Sequence, residues 1–197
     1  MFYSLTEVAT IHAGYPFRGK IIEKSHGCVH AVQMKQVERL HGIKWDDLVL
    51  TDLPGREPSR WLESGDVVFV ARGMKNYAVV ADNPPAKTVL SPHFFQIRLR
   101  KKPEMLPEFL TWQINQSPAQ KYFAQSAEGS AVVGVRKGIL EELEVICPPL
   151  LEQEKVMQAV HCWIEQQQVI QAMSDNHQKL MAGIASYVFN KSSGESQ

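Results

Sequence analysis

Residues 61–102 read WLESGDVVFVARGMKNYAVVADNPPAKTVLSPHFFQIRLRKK and hold the clearest sheet-forming pattern in the chain. Three runs of β-branched and aromatic residues, at 67–71, 77–81 and 94–100, are separated by clusters of Gly, Asn and Pro. Short runs divided by turn-forming residues are typical of strands joined by tight turns. The stretch therefore predicts a curled, mostly antiparallel sheet around which the other segments pack.

The turn after the first run carries long polar side chains. Arg72, Lys75, Asn76 and Tyr77 lie where a sheet presents hydrogen-bonding groups to its surroundings. Loops held by a rigid scaffold are the usual place for binding residues. We therefore expect this turn to contact a ligand. The later Asn83-Pro84-Pro85-Ala86 predicts a hairpin turn.

The flanking segments predict short helices and strands. Ser4 and Glu7 have capping-box spacing, which predicts a short helix within the first dozen residues. A strand is predicted at 28–34, helices at 107–115 and 117–125, and a strand at 143–146. Pro148-Pro149 closes this unit, so the fold class is α+β and the predicted domain is residues 1–149.

A long helix is predicted from residue 150 to about 190, followed by a flexible tail at 191–197. Apolar residues recur every seven positions, with a second series three positions later, which is the a/d pattern of a coiled coil. Gln166 and His177 are its polar exceptions. Such a stripe implies a partner helix, and the residues predicted to form the pairing surface are Val156, Trp163, Ile170, Met173, His177, Leu180 and Ile184.

Composition excludes several classes of protein. No run of 18 apolar residues exists and the N-terminus lacks a signal-peptide pattern, so we expect a cytoplasmic protein that makes no membrane contact. Cys28, Cys147 and Cys162 are odd in number and widely spaced, which argues against a disulfide framework and a structural zinc site.

No catalytic or metal-binding pattern emerges. Ser130, His93 and Asp66 occur without a hydrolase motif around them, so we predict no catalytic residues. His26, Cys28 and His30 alternate and would share a strand face, but nothing completes a ligand set. We therefore predict no metal and no cofactor.

The charge distribution favours a polyanionic partner. Residues 18–102 contain 15 Lys and Arg against 9 Asp and Glu, although the whole chain has a net charge of zero. Basic and amide side chains are the groups that contact DNA phosphates and base edges. The predicted DNA-binding residues are Arg18, Lys20, Gln33, Lys35, Arg56, Arg60, Arg72, Lys75, Asn76, Tyr77, Lys101 and Lys102.

Several motifs, in their order and spacing, resemble the specificity (S) subunit of type I restriction-modification enzymes. They are Tyr15-Pro-Phe-Arg-Gly-Lys20, Trp61-Leu-x-x-Gly-Asp-Val-Val-Phe-Val70, Ser91-Pro-His-Phe-Phe95, Pro107-Glu-Phe-Leu110, Ala127-Glu-Gly-Ser130, Pro148-Pro149 and Glu152-Gln153. In that family two target-recognition domains each read half of a split DNA site, and their long helices pair as an antiparallel spacer. The present sequence contains one such domain and one helix, which resembles a half subunit.

The resemblance implies a non-catalytic, sequence-specific DNA-binding subunit. Its partners would be double-stranded DNA, a methyltransferase (M) subunit and, where the system has one, a restriction (R) subunit. The stripe on the helix would pair with a second copy to make a homodimer, or with another half subunit. The alternative is a protein-interaction adaptor that uses the coiled coil as a scaffold.

Overall fold

The computed structural model describes residues 1–55, 60–73, 75–127 and 134–194, with side chains to residue 190. The chain divides into two units, Met1–Glu154 and Lys155–Gln197. The elements in chain order are β1 (Phe2–Ser4), α1 (Leu5–Val8), β2 (Ala9–Ala13), β3 (Val29–Val32), β4 (Val37–Glu38), β5 (Gly42–Ile43), β6 (Val49–Thr51), β7 (Val67–Val70), β8 (Tyr77–Val80), β9 (Thr88–Leu90), β10 (Phe94–Leu99), α2 (Pro107–Ile114), α3 (Ser117–Ala127), α4 (Lys137–Glu141), β11 (Glu144–Ile146) and α5 (Leu150–Gly194).

Two sheets build the first unit. The larger has the order β2-β10-β7-β8 and is antiparallel throughout. The smaller has the order β6-β3-β9, in which β3 runs antiparallel to β6 and parallel to β9. The other strands form two separate pairs, β1-β11 and β4-β5. The predicted α+β class, with mostly antiparallel strands and a long C-terminal helix, is confirmed.

Strand β7 lies at the centre of the core because both of its faces are covered. Val68 and Val70 cluster with Val32 and Leu90 of the smaller sheet. On the opposite face, Phe69 packs against Phe123 of α3 with ring centroids 5.2 Å apart. All four residues of β7 have zero exposure. A strand buried on both faces reads as an unbroken apolar run, which is the pattern Val-Val-Phe-Val.

A buried charged cluster fixes the start of β7. Asp66 is 2% exposed, and its carboxylate accepts hydrogen bonds from Arg98 Nε at 2.7 Å, Gln96 Nε2 at 2.6 Å and the Glu63 backbone N–H at 2.8 Å. The hydrogen bond to Asp66 raises the pKa of Arg98. A buried carboxylate is tolerated only when such donors replace water, so this cluster belongs to the scaffold.

The predicted N-terminal helix is wrong beyond Val8. The capping box forms, since the Ser4 backbone N–H donates to Glu7 Oε2 at 2.6 Å, but the helix lasts one turn. Residues 9–13 then form β2, which pairs with β10 from Ala9↔Leu99 to Ala13↔Phe95. Pairing with a neighbouring strand outweighs local helical preference here.

The predicted hairpin at Asn83 is also wrong. A turn does form, with Asn83 at φ 50° and Lys87 at φ 56°. However, it connects β8 of the larger sheet with β9 of the smaller one, and these two strands do not pair with each other. The turn therefore passes the chain from the larger sheet to the smaller one, which covers one face of β7.

The first turn of α5 is anchored by a buried amide. Gln153 has zero exposure; its Oε1 accepts from the Leu106 N–H at 2.9 Å, while Nε2 donates to Glu104 O at 3.0 Å and Pro148 O at 2.8 Å. Every donor and acceptor of that amide except one oxygen lone pair is thus in use. Among the described residues, no helix is long and apolar enough to cross a membrane.

Candidate nucleic-acid interface

Four strands of the two sheets meet at one edge of the first unit. Parallel strands β3 and β9 end side by side, with Val32 opposite Leu90. The last residue of β7, Val70, lies opposite Phe94, where β10 begins. The segments that leave these strands, residues 33–36, 71–76 and 91–93, therefore start from a common place. We call this place the loop edge.

A fourth segment, residues 14–21, joins the loop edge after β2. The Gly14 N–H donates to Phe94 O at 3.0 Å, and the Tyr15 N–H donates to Leu90 O at 2.7 Å. A Cβ atom on Gly14 would lie 2.0 Å from Ser91 O, so only glycine permits this approach. The rings of Tyr15 and Phe17 then contact edge to face at 4.8 Å and pack on the smaller sheet. This aromatic packing holds the segment in place.

A cavity of about 540 Å³ opens between these segments. It combines apolar walls, three cationic side chains and several polar groups. Its lining residues are Phe17, Gly19, Lys20, Ile21, Gln33, Met34, Lys35, Arg72, Ser91, Pro92 and His93. None of these described residues carries a carboxylate, so the cavity is suited to an anionic ligand.

The three cations of the cavity lie at its exposed rim. Lys20, Lys35 and Arg72 are exposed and form no ion pair with any described residue. Some basic groups elsewhere in the first unit are ion-paired, for example Lys24 with Asp52 at 3.1 Å. The rim charges are therefore not neutralised by neighbouring carboxylates and remain available to phosphate groups.

The floor of the cavity contributes polar atoms of a different kind. The hydroxyl of Ser91 is buried and has no hydrogen-bond partner among the described residues. Leaving such an atom without a partner costs about 1–3 kcal/mol. Sequence reasoning did not select Ser91, and it considered His93 only as a catalytic candidate. Their position between two strand ends, in Ser91-Pro-His93, was the available signal.

Two predicted contact residues are tied into the scaffold. Both donated hydrogen bonds of the Asn76 amide go to its own turn, to Val70 O and Ala71 O at 3.0 Å each. The Tyr77 hydroxyl donates to Val37 O at 2.8 Å, and burial, with the nearby Glu38 charge, raises its pKa. Both side chains therefore shape the loop edge, and direct DNA contact by them stays a prediction.

The other predicted DNA-binding residues are distributed unevenly. Arg18 and Lys75 are exposed on the segments of the loop edge. Arg60 is exposed and precedes Leu62 by two residues, and the Leu62 N–H donates to Thr88 O at the first residue of β9, at 2.9 Å. Arg56 lies outside the described residues, as does most of the Ala127–Ser130 motif.

Lys101 and Lys102 are not brought to the loop edge. They follow Leu99, which lies opposite Ala9 at the other end of β10 from Phe94. Six residues of strand, at about 3.3 Å each, put roughly 20 Å between the two ends. Any contact of these lysines with DNA would therefore be separate from the cavity.

No group of three or more His, Cys, Asp and Glu side chains is placed to hold a metal ion within the part of the chain that the structure describes. Of the residues considered as ligands, His30 directs Nδ1 to Ala86 O at 3.2 Å. The described side chains thus offer cationic and hydrogen-bonding chemistry at the loop edge.

Comparison with known proteins identifies the architecture. The chain is similar to the HsdS subunit from Thermoanaerobacter tengcongensis, with a TM-score of 0.58 and 18% identity over 85% of this chain and 37% of that one. The chain has the fold of a type I S subunit. A second similar chain comes from a structure that describes complex assembly and conformational transition of the type I R-M system. Its TM-score is 0.62, with 16% identity over 92% of this chain and 43% of that one. The type I S subunit from M. genitalium has a TM-score of 0.51 and 14% identity over 84% of this chain and 39% of that one.

At these identities the likeness to S subunits shows the fold alone. The chain spans 37% to 43% of the length of these three solved chains. No family model and no curated protein matches the sequence.

Proposed function

We propose that this chain is a DNA-binding specificity subunit of a type I restriction-modification system. The observation that carries the proposal is the cavity at the loop edge of the S-subunit fold, where Lys20, Lys35 and Arg72 converge and no described lining residue carries a carboxylate. Residues 1–149 are the proposed recognition domain, and residues 150–190 the proposed pairing and spacer helix. The subunit itself is non-catalytic and acts in the cytoplasm.

The loop edge contains both kinds of side chain that sequence recognition needs. Lysine ammonium groups contact phosphates and position a protein on the duplex without reading its sequence. Arg72 presents a planar fork that matches guanine O6 and N7, and Gln33 presents the paired donor and acceptor that match adenine. Lys20 and Lys35 would thus fix the register, while Arg72 and Gln33 read base edges. Arg18 and Lys75 extend the phosphate contacts.

The proposed partners follow from the systems in which S subunits occur. The chain would direct an M subunit, and an R subunit where one is present, to the bound site. A second copy, paired through α5, would bring a second recognition domain to the same DNA. The site would then consist of two half-sites separated by bases that are not read, and identical copies would make it palindromic.

Two experiments test DNA recognition. Bound duplexes are selected from a random pool, and the affinity for the selected duplex is then titrated over a range of salt concentrations. The proposal predicts an enriched motif and an affinity that falls steeply with salt, because phosphate contacts release counterions. A pool without enrichment, bound no more tightly at low salt than at high salt, would remove DNA as the ligand. Co-purification with an M subunit encoded beside the chain tests the partner.

A protein-interaction adaptor is the second candidate. The observation that favours it is the exposed apolar stripe of α5, where Met173 is 66% exposed and Leu180 60% exposed. An adaptor would use this stripe as a scaffold and the domain to bind a peptide. Assembly of α5 with a partner, combined with salt-independent and weak duplex binding, would favour the adaptor.

A further inference from the structure

The second unit presents a long uncharged face. Between residues 156 and 190 of α5, ten residues occupy the a and d positions, which we call the seam: Val156, Ala159, Trp163, Gln166, Ile170, Met173, His177, Leu180, Ile184 and Tyr187. Trp163, Ile170 and Tyr187 are 51%, 57% and 68% exposed. The Asp, Glu and Lys residues between 156 and 190 are Glu165, Asp175 and Lys179, and none lies on the seam or at the flanking e and g positions.

We infer that the seam pairs with the seam of a second copy, antiparallel, in the register that places His177 against the partner's Gln166. This inference rests on the proposed two-copy assembly and specifies its geometry. In an antiparallel pair of helices each a residue faces a d residue of the other helix, and a two-fold axis repeats every contact. The two polar residues of the seam, one at a and one at d, thus meet each other twice.

The same register places every apolar seam residue against another apolar residue. The facing pairs, one residue from each copy, are Val156 with Tyr187, Ala159 with Ile184, Trp163 with Leu180, and Ile170 with Met173. Small residues face large ones in the first two pairs, which evens the side-chain volume along the seam. Close packing without voids favours such pairing of small and large side chains.

Shifting the helices by one heptad breaks this match. In one direction His177 faces Ala159 and Gln166 faces Ile170; in the other direction His177 faces Met173 and Gln166 faces Ile184. Either shift buries each polar side chain against an apolar one, where its hydrogen bonds with water are lost without replacement. A single polar layer is a known device for fixing the register of paired helices.

A parallel pairing is disfavoured by size. It would place Trp163 against Trp163 and Ala159 against Ala159, so that one layer is crowded and another is underfilled. Polar groups would still meet polar groups in that arrangement, with His177 facing His177. The size match therefore decides for the antiparallel direction, and the polar match decides the register.

The chemistry of the polar pair suits either tautomer of the histidine. A neutral imidazole offers one donor and one acceptor, and a glutamine amide offers both. Among the residues that the structure describes, the Gln166 amide makes only a long contact, from Nε2 to Cys162 Sγ at 3.8 Å, one turn earlier on the same helix. The partner's His177 would supply a shorter, stronger hydrogen bond.

Disulfide cross-linking of the full chain tests the register, with the three native cysteines Cys28, Cys147 and Cys162 replaced by serine. The double variant Gln166→Cys/His177→Cys is expected to form a covalent dimer on mild oxidation, and peptide mapping should join position 166 to position 177. The single variants Gln166→Cys and His177→Cys are expected to stay uncross-linked. Covalent dimers from either single variant would show a parallel pair and overturn the inference.

A second pair of positions protects the test against a locally disturbed helix. Ala159→Cys/Ile184→Cys lies in the same register and should cross-link as efficiently, whereas Ala159→Cys/His177→Cys corresponds to the shifted register and should not. Preferential cross-linking of the shifted pair would overturn the register. Circular dichroism checks that each variant keeps its helix content.

The outcome separates this inference from the proposed function. A chain that enriches a DNA motif but yields no covalent dimer with either matched pair overturns the pairing and leaves DNA recognition standing. A chain that cross-links through 166 and 177 but enriches no motif supports the register and removes the specificity subunit role.

Discussion

Removing two cations from the loop edge should change the salt dependence of DNA binding by a calculable amount. Lys20 and Lys35 both line the cavity, are exposed and lack an ion-pair partner among the described residues. If each contacts one phosphate, Lys20→Ala/Lys35→Ala should flatten the slope of log K against log salt by about 1.8, at about 0.9 per contact. The ratio of wild-type to variant affinity should then be about 12-fold larger at 50 mM than at 200 mM salt.

The matched control is Lys101→Ala/Lys102→Ala, which removes the same charge from the other end of β10. Fluorescence anisotropy titrations on one selected duplex, at several salt concentrations, measure both slopes. The loop-edge interface predicts no change of slope for the control. A flattened slope for the control alone would refute the reasoning and move the interface to the opposite edge. Thermal unfolding of both variants verifies that neither has lost its fold.

Four further predictions follow from single residues. Arg72→Ala should weaken binding to the selected site by about 1–3 kcal/mol and relax preference at one base pair, measured against single-base variants of that site. Gln153→Ala leaves the part-buried Leu106 N–H without its acceptor and should lower the free energy of unfolding in urea by about 1–3 kcal/mol. Burial, with the Arg60 charge, lowers the pKa of His12 below its ordinary 6.5, so the unfolded chain takes up the proton first. Stability should therefore fall as pH drops through about 6.5, and His12→Gln should flatten that dependence in urea titrations. Ile170→Asp should give a mass near 22.3 kDa in sedimentation equilibrium, half that of the wild-type dimer.

The central strands were predictable because their patterns are local. Val67–Val70 and Tyr77–Val80 are β-branched or aromatic runs bounded by turn residues, and helix α5 lacks proline over its whole length. Pairings between distant segments were not predictable. Strand β9 has three residues, follows a proline-rich turn, and runs parallel to β3, which lies far earlier in the chain. Three residues are too few to show the alternating pattern that would distinguish such a strand from a loop.

The same distinction explains the candidate site. The sequence indicates which side chains suit DNA, and the pairing of four strands then decides which of them meet. Lys20, Lys35 and Arg72 converge because β2, β3 and β7 end at one edge, whereas the equally basic Lys101 and Lys102 begin at the other. Asn76 shows a further limit, since its residue type suits adenine but its donors hold the turn.

Under the proposed function, recognition and pairing are carried by different units and should be separable in binding measurements. Every residue of the loop edge lies in Met1–Glu154, whereas the seam lies in the second unit. Joining two binding modules raises affinity for a matching pair of sites by about 10²–10⁴-fold without any new contact. A substitution in the seam should thus weaken binding to DNA with both half-sites and leave the affinity for one half-site unchanged. A substitution at the loop edge should weaken both. A seam variant that lost half-site affinity as well would show that recognition itself depends on the helix.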